Sequence, residues 1–177
     1  MRRAQLETNL FGVLRVCRAV LPIMRQQGGG TIVNISSVAG ALGIPFQGLY
    51  SASKFAVEGL SEALWAEARP FGICVAVIGP GDFPTAITAR RRLSAQAQHS
   101  AVYRERCARA LAIMAADERR GPAPVRVARL LERIIVSPAP RLRYTVGPLP
   151  EHAAVLLKRL LPGALVARLL MRYYRID

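Results

Sequence analysis

The sequence predicts an α/β fold, a parallel sheet with helices on its faces. Three observations lead there. Two short runs, Thr31–Ile35 and Ile73–Ile78, are almost continuously apolar and rich in β-branched residues, the pattern of strands buried on both sides. Between them lies a helical stretch over ~50–69, the kind of crossover that lets the second strand run parallel to the first. The chain is 52% hydrophobic but only 6% aromatic, an Ala-, Leu- and Val-rich composition that suits packed layers and argues against disorder.

The elements follow in order. Leu6, Leu10, Val13, Leu14, Cys17, Val20, Leu21 and Met24 recur at three- and four-residue spacings and predict a helix over ~4–26, with Pro22 as the place where it bends. Gly28, Gly29 and Gly30 close that helix and open a strand, so they read as a C-cap and turn; a phosphate loop has the opposite order, strand then helix. The helix over ~50–69 places Phe55, Ala56, Leu60, Leu64 and Trp65 on its apolar side and stops at Pro70. After the second strand comes the loop Gly79-Pro80-Gly81. Residues ~84–125 are the least legible: RRRLSAQAQHS reads as a polar helix or a loop, and Ala101–Ala116 as a helix with Val102, Cys107, Leu111 and Met114 on one side. Gly121-Pro122-Ala123-Pro124 breaks the chain before a helix over Val125–Val136, and Tyr144–Gly147 is a short third strand. The tail, ~151–175, is apolar and basic and is divided by Pro162-Gly163. It reads as packed terminal helix, as an interfacial amphipathic segment with Arg and Lys at lipid headgroups, or as the wall of an apolar pocket.

Charge and cysteine usage limit the partners. The net charge is +14, and residues 101–177, with 15 basic and 6 acidic side chains, carry +9 of it. All the basic residues are Arg except Lys54 and Lys158. A basic half suits a solvated helix surface or an anionic membrane; no aromatic-interleaved basic patch or nucleic-acid motif is present, so no nucleic acid is expected. Cys17, Cys74 and Cys107 are scattered, no C-x-x-C occurs, and the histidines are His99 and His152. No metal site is expected, and Cys17 and Cys74 read as buried thiols of a reducing compartment. The long uncharged run, residues 26–53, is broken by Gly28–Gly30, Gly40, Gly43 and Pro45 and carries Gln, Asn and Ser, so no spanning helix is expected.

The chemistry concentrates in GTIVNISSVAGALGIPFQGLYSASKFAVEG, residues 30–59. Tyr50 and Lys54 are four apart and so share a helix face. Ser37, thirteen residues before Tyr50, stands where the first strand runs out. A phenol is too weak an acid to ionise near neutrality, but an ammonium one turn away lowers its pKa. With a hydroxyl to hold the substrate oxygen, these three can move a proton to or from an alcohol. On spacing alone a Tyr and a Lys at i, i+4 occur on many helices. A second argument comes from topology. Ser37 and Pro80 both follow strand ends, and if the strands are parallel both loops lie on the sheet edge where open α/β sheets bind ligands.

The whole string decides between these. IVNISS, the thirteen-residue offset and YSASK resemble the catalytic segment of the short-chain dehydrogenase/reductase family. Asn9, in ETNLFG, and Pro80, Gly81 and Thr85, in GPGDFPT, match further family marks, and together these span residues ~5–90. The resemblance implies a Rossmann-type doubly wound parallel sheet and NAD(P)-dependent interconversion of an alcohol and a carbonyl. It implies that Tyr50 is the acid/base, that Lys54 lowers its pKa and binds the nicotinamide ribose, and that Ser37 positions the substrate oxygen. Asn9 then organises a water in the proton relay, and Pro80, Gly81 and Thr85, with Tyr50 and Lys54, meet the cofactor, NAD or NADP. Ser37 and P-G-x-x-x-T favour the oxidoreductase branch over epimerases and dehydratases that share Y-x-x-x-K.

The family's T-G-x-x-x-G-x-G turn, its cofactor-selecting residue and its N-A-G segment are missing. The sequence therefore reads as an N-terminally truncated member, a partial Rossmann-type sheet lacking the nucleotide-binding strands. Residues 1–150 are the carboxyl-terminal part of that domain and 151–177 an apolar, basic helical segment. The apolar tail suggests a lipophilic alcohol or carbonyl substrate. The expected setting is cytoplasmic, with peripheral membrane contact through 151–175, and the full-length form is expected to be a homo-oligomer. The chain alone is expected to bind NAD(H) or NADP(H) too weakly for turnover. The rival reading is a non-catalytic remnant that only binds a partner or dimerises.

Overall fold

The computed structural model describes residues 2–91, 93 and 99–177. Its centre is a three-stranded parallel sheet in the order β1 (Gly30–Ile35), β2 (Ile73–Pro80), β3 (Arg143–Val146). Gly30 pairs with Ile73 and Ile35 with Ile78, while Val77 pairs with Arg143 and Pro80 with Val146. The expected parallel sheet is therefore present, and its carboxyl ends align at Ile35, Pro80 and Val146. Within the described residues β1 pairs only with β2, so its other edge is open.

Alternation along β2 explains the layers. Ile73 and Val75 face one side, where Cys17, Ile32, Leu64 and Ala68 complete a core. Ala76 and Ile78 face the other, against Leu130 and Ile134. The first side carries α2 (Gly12–Gln26) and α3 (Gly48–Ala68), the second α6 (Val125–Ile135). A third cluster joins α5 (Arg104–Arg120) to the end of the chain through Ala110, Met114 and Tyr174. The chain also forms α1 (Arg2–Leu6), the four-residue α4 (Ile87–Arg90), α7 (Leu149–Leu160) and α8 (Gly163–Tyr173). Pro162 separates the last two, as the sequence suggested. The polar stretch RRRLSAQAQHS lies largely outside the described residues.

Two local features differ from the sequence reading. The first helix is interrupted at Glu7–Phe11 by a π-helical turn, in which the Gly12 N–H donates to Glu7 O; Pro22 lies within the helical span Gly12–Gln26. A π turn holds one residue more than an α turn, and Asn9 lies within it. On α3 the buried positions are Ser51, Ser53, Val57, Ser61, Leu64 and Ala68, whereas Phe55 is 43% exposed. Small residues let the helix lie close to the sheet. Their hydroxyls stay bonded: Ser61 Oγ donates to Val57 O (2.7 Å) and accepts from Asn34 Nδ2 (2.9 Å). The glycine turn behaves as expected. Gly28 (φ +80°) and Gly72 (φ +71°) take left-handed conformations, and a Cβ on Gly72 would lie 2.7 Å from Gly28 O. Two helix exits therefore pack backbone against backbone at the amino ends of β1 and β2.

Candidate active site

The site is built where the strands end. Ser36 N–H closes the ladder on Ile78 O (2.7 Å), after which the chain leaves the sheet. Ser37, in extended backbone, caps a short 3₁₀ turn at Val38–Gly40, its Oγ accepting from Ala39 N–H (3.1 Å). Gly40 is pressed against Ser36 Oγ and Lys54 O, and a Cβ there would collide with both. The loop is thus held flat on α3, and Ser37 is brought alongside Tyr50 in the helix's first turn.

Lys54, one turn further, donates from Nζ to Ile35 O (3.0 Å), and the same nitrogen lies 5.8 Å from the Tyr50 ring centroid. Behind α3, Asn9 Nδ2 donates to Ser53 Oγ (3.0 Å), whose hydroxyl donates to Tyr50 O (2.7 Å). Asn9 therefore meets the helix between the two candidate residues from its far side. On the neighbouring strand Gly81 N–H donates to Val146 O (2.8 Å). Asp82 N–H then reaches both carboxylate oxygens of Glu151 (3.1 Å each). Thr85 Oγ1 accepts from Ile87 N–H (3.4 Å).

One cleft of about 780 Å³ is lined by Ser37, Tyr50, Lys54, Pro80, Gly81 and Thr85 together. The structure thus brings six of the seven sequence-derived candidates onto one cleft, and Asn9 stands behind it. The far wall is apolar, including Ile44, Phe83, Met114, Leu157, Val166 and Leu170.

The chain matches the family model described as short chain dehydrogenase over residues 3–96. That is more than half of its length. The chain belongs to the short-chain dehydrogenase family. It is 42% identical over 172 residues to a 3-ketodihydrosphingosine reductase of Bacteroides thetaiotaomicron, a match that covers 97% of the chain and 64% of that protein. Among solved structures it resembles a short-chain dehydrogenase from Streptomyces avermitilis, with TM-score 0.67 and 29% identity over 99% of the chain and 61% of that one. It also resembles a short-chain dehydrogenase/reductase from Burkholderia phymatum in complex with NAD (TM-score 0.65, 29% identity, 88% of the chain and 55% of that one). The chain therefore spans less than two thirds of the length of these relatives.

In this family member the electrostatics of the site depart from the simple expectation. Tyr50 was assigned a phenol pulled down by Lys54. In this structure its pKa is raised, because burial disfavours the phenolate and outweighs the hydrogen bond with Ser37, while the Asp82 and Glu118 charges push further upward. Lys54 is itself lowered by burial, against the pull of Glu58. Tyr50 is therefore held as the neutral phenol. Two carboxylates that the sequence did not single out also shape the cleft. Glu151 is pushed up to about 8 by burial and by its hydrogen bond to Asp82, and Glu118 is raised by burial against the pull of Arg91. Glu151 opens the first turn of α7 but is 69 residues from Asp82, so no local pattern pairs them; an acid in a helix's first turn was the only available signal.

The residues present fit the nicotinamide end of a dinucleotide. The Lys54 ammonium has three N–H donors and gives one to Ile35 O, which leaves donors for ribose hydroxyls. Pro80 and Gly81 offer backbone at the carboxyl end of β2, the edge where such sheets take ligands.

Proposed function

We propose that this cleft reduces a lipophilic ketone to a secondary alcohol with NADH or NADPH, and runs the reverse oxidation at high pH. The observation that carries the reading is the convergence of Ser37, Tyr50 and Lys54 with Pro80, Gly81 and Thr85 on one cleft at aligned strand ends. The bound cofactor supplies the hydride. Ser37 Oγ–H donates to the carbonyl oxygen and fixes it. Tyr50, neutral in this environment, gives its proton to that oxygen as negative charge develops there. Lys54 then stabilises the phenolate left behind. Asn9 acts as a positioning residue, holding α3 through Ser53 so that Tyr50 and Lys54 keep their spacing.

The apolar far wall and the printed name of the Bacteroides relative support a long-chain substrate. Leu149, Leu156 and Leu160 lie on one stripe of α7 and are 82%, 58% and 71% exposed. With Lys158, Arg159, Arg168 and Arg172 nearby in sequence, they support peripheral contact with an anionic bilayer. Among the described residues no helix is long and apolar enough to cross a membrane. Phe11, Val16 and Ile23 on the first helix and Phe55 on α3 are exposed as well, which supports a homo-oligomer.

The test is ketone-dependent loss of nicotinamide absorbance, run with NADH and NADPH on long- and short-chain ketones, with the chain joined to the segment of the Bacteroides relative that the match does not cover. The expected result is turnover that favours the long chain. A chain that binds neither cofactor at millimolar concentration and turns over no ketone would instead support the binding-module reading.

A further inference from the structure

The loop that carries Pro80, Gly81 and Thr85 is fastened by a group outside the catalytic segment. Glu151 lies in the first turn of α7, and both of its carboxyl oxygens are 3.1 Å from the Asp82 N–H. The neighbouring Gly81 N–H is bonded to Val146 O (2.8 Å) at the end of β3. The Glu151 carboxyl lies flat on this backbone. A Cβ on Gly81 would fall on it, and a Cβ on Gly147 would be 2.9 Å from its Oε2 and 3.1 Å from Gly81 Cα. Glycine at both positions therefore leaves the carboxyl its place. The side-chain carboxyls of Glu151 and Asp82 are hydrogen-bonded as well. That bond takes one proton between them, because two carboxylates have no donor.

We propose that Glu151 is a positioning residue for the cofactor: as the neutral acid, its carboxyl fastens the Gly81–Asp82 backbone to the start of α7 and holds the loop from Pro80 to Thr85 in the shape that receives the nicotinamide end. The proposal rests on the reading of Pro80, Gly81 and Thr85 as cofactor contacts and adds the group that keeps them in place.

Such a clamp responds to pH. Neutral Glu151 accepts from the Asp82 N–H with one oxygen and donates from the other to the Asp82 carboxylate. Ionised, it loses that donor and meets the negative charges of Asp82 and, from α5, Asp117. Tyr173 and Tyr174 of α8 face the pair as phenols that burial keeps neutral. His152 is the next residue on α7, and Arg91 offsets the charge of Asp82. The Glu151 carboxyl is pushed up to about 8, so in the folded chain the clamp is closed at neutral pH and opens as pH rises through about 8.

The first test is amide hydrogen exchange on the full 177-residue chain, with rates corrected for the intrinsic effect of pH. Protection of the Asp82 N–H is expected to fall about tenfold between about pH 7 and about pH 9 in the parent, following the neutral fraction of Glu151. It is expected to stay within about twofold in Glu151→Gln, whose amide accepts and donates at every pH, and to be low throughout in Glu151→Ala. The second test measures NADH and NADPH affinity in the chain joined to the segment of the Bacteroides relative that the match does not cover. Over the same range the parent is expected to weaken at least about fivefold and Glu151→Gln to hold within about twofold, with Glu151→Ala weak at both ends. A group that only stabilised the fold would give parallel affinity curves for the parent and Glu151→Gln while circular dichroism shows both folded. If Glu151→Ala fails to fold, the parent against Glu151→Gln decides. Equal Asp82 protection in parent and Glu151→Gln at high pH, or parallel affinity curves, would overturn the proposal. The two readings separate: ketone turnover with parallel affinity curves removes the role of Glu151 alone, whereas a joined chain that binds neither cofactor removes the reductase reading and the cofactor role with it.

Discussion

The two walls of the cleft are made in opposite ways. The wall that carries Ser37, Tyr50 and Lys54 comes from a short run of chain pressed against the sheet. Ser53 and Ser61 are fully buried, and the hydroxyls of both are bonded. The opposite wall is assembled from α5, α7 and α8, distant in sequence, with leucines left in solvent and the Glu151 carboxylate, which accepts from Asp82 N–H, as one of its links to the loop after β2. The first wall holds its groups through backbone geometry, where small shifts are costly. The second can vary its side chains without disturbing the sheet, which suits a wall that selects the substrate.

Substitutions sharpen this contrast. The largest stability effect is expected from Ser61→Leu on the rigid wall. It forces a large side chain between α3 and the sheet and leaves Asn34 Nδ2 without its acceptor. We expect a loss of about 3 kcal/mol, read from the urea midpoint. A loss below about 1 kcal/mol would mean that α3 is not closely seated.

Next comes the carboxylate link of the other wall. Glu151 ionises near 4.5 in an unfolded chain and is pushed up to about 8 in the fold, so the folded state retains a proton that the unfolded chain releases. Its contribution is complete below pH about 4.5 and is lost as pH rises through about 8. Thermal melts across that window should show the parent losing stability relative to Glu151→Gln. Parallel pH curves would separate Glu151 from Asp82.

Asn9→Ala should cost about 1 kcal/mol, the value of one partly buried hydrogen bond, and lower turnover without changing cofactor affinity. Leu160→Ser should change stability by less than about 0.5 kcal/mol, because Leu160 is 71% exposed. It should still reduce co-sedimentation with anionic vesicles, and unchanged co-sedimentation would remove α7 from membrane contact.

The same contrast explains what could be read from the sequence. Tyr50 and Lys54 are legible because helix periodicity alone puts them on one face, and the parallel pairing of β1 with β2 follows from two apolar runs around one helix. The buried face of α3 was misjudged because Ser53 and Ser61 look polar in sequence; only the neighbouring Asn9 and Asn34 show how their hydroxyls are satisfied. Asn9 lies in a π turn that the sequence does not announce, and its bond to Ser53 joins residues 44 apart. Glu118 and Glu151 could not be read at all. Their place in the cleft depends on which helices fold over the strand ends, and the Arg91 and Asp82 groups they meet lie far off in sequence. The raised Tyr50 pKa was missed for a related reason: burial is a property of the whole cleft, while the Lys54 spacing is local.

The central claim is that Tyr50 delivers the proton. The direct test is Tyr50→Phe in the chain joined to the segment of the Bacteroides relative that the match does not cover, with ketone turnover and cofactor affinity measured on the same preparation. The fold should tolerate the loss of one hydroxyl. The account predicts a fall in turnover of about 10²-fold or more, with the cofactor Kd within about twofold of the parent. Retention of more than about a tenth of the activity would contradict it and pass the proton transfer to another group in the cleft.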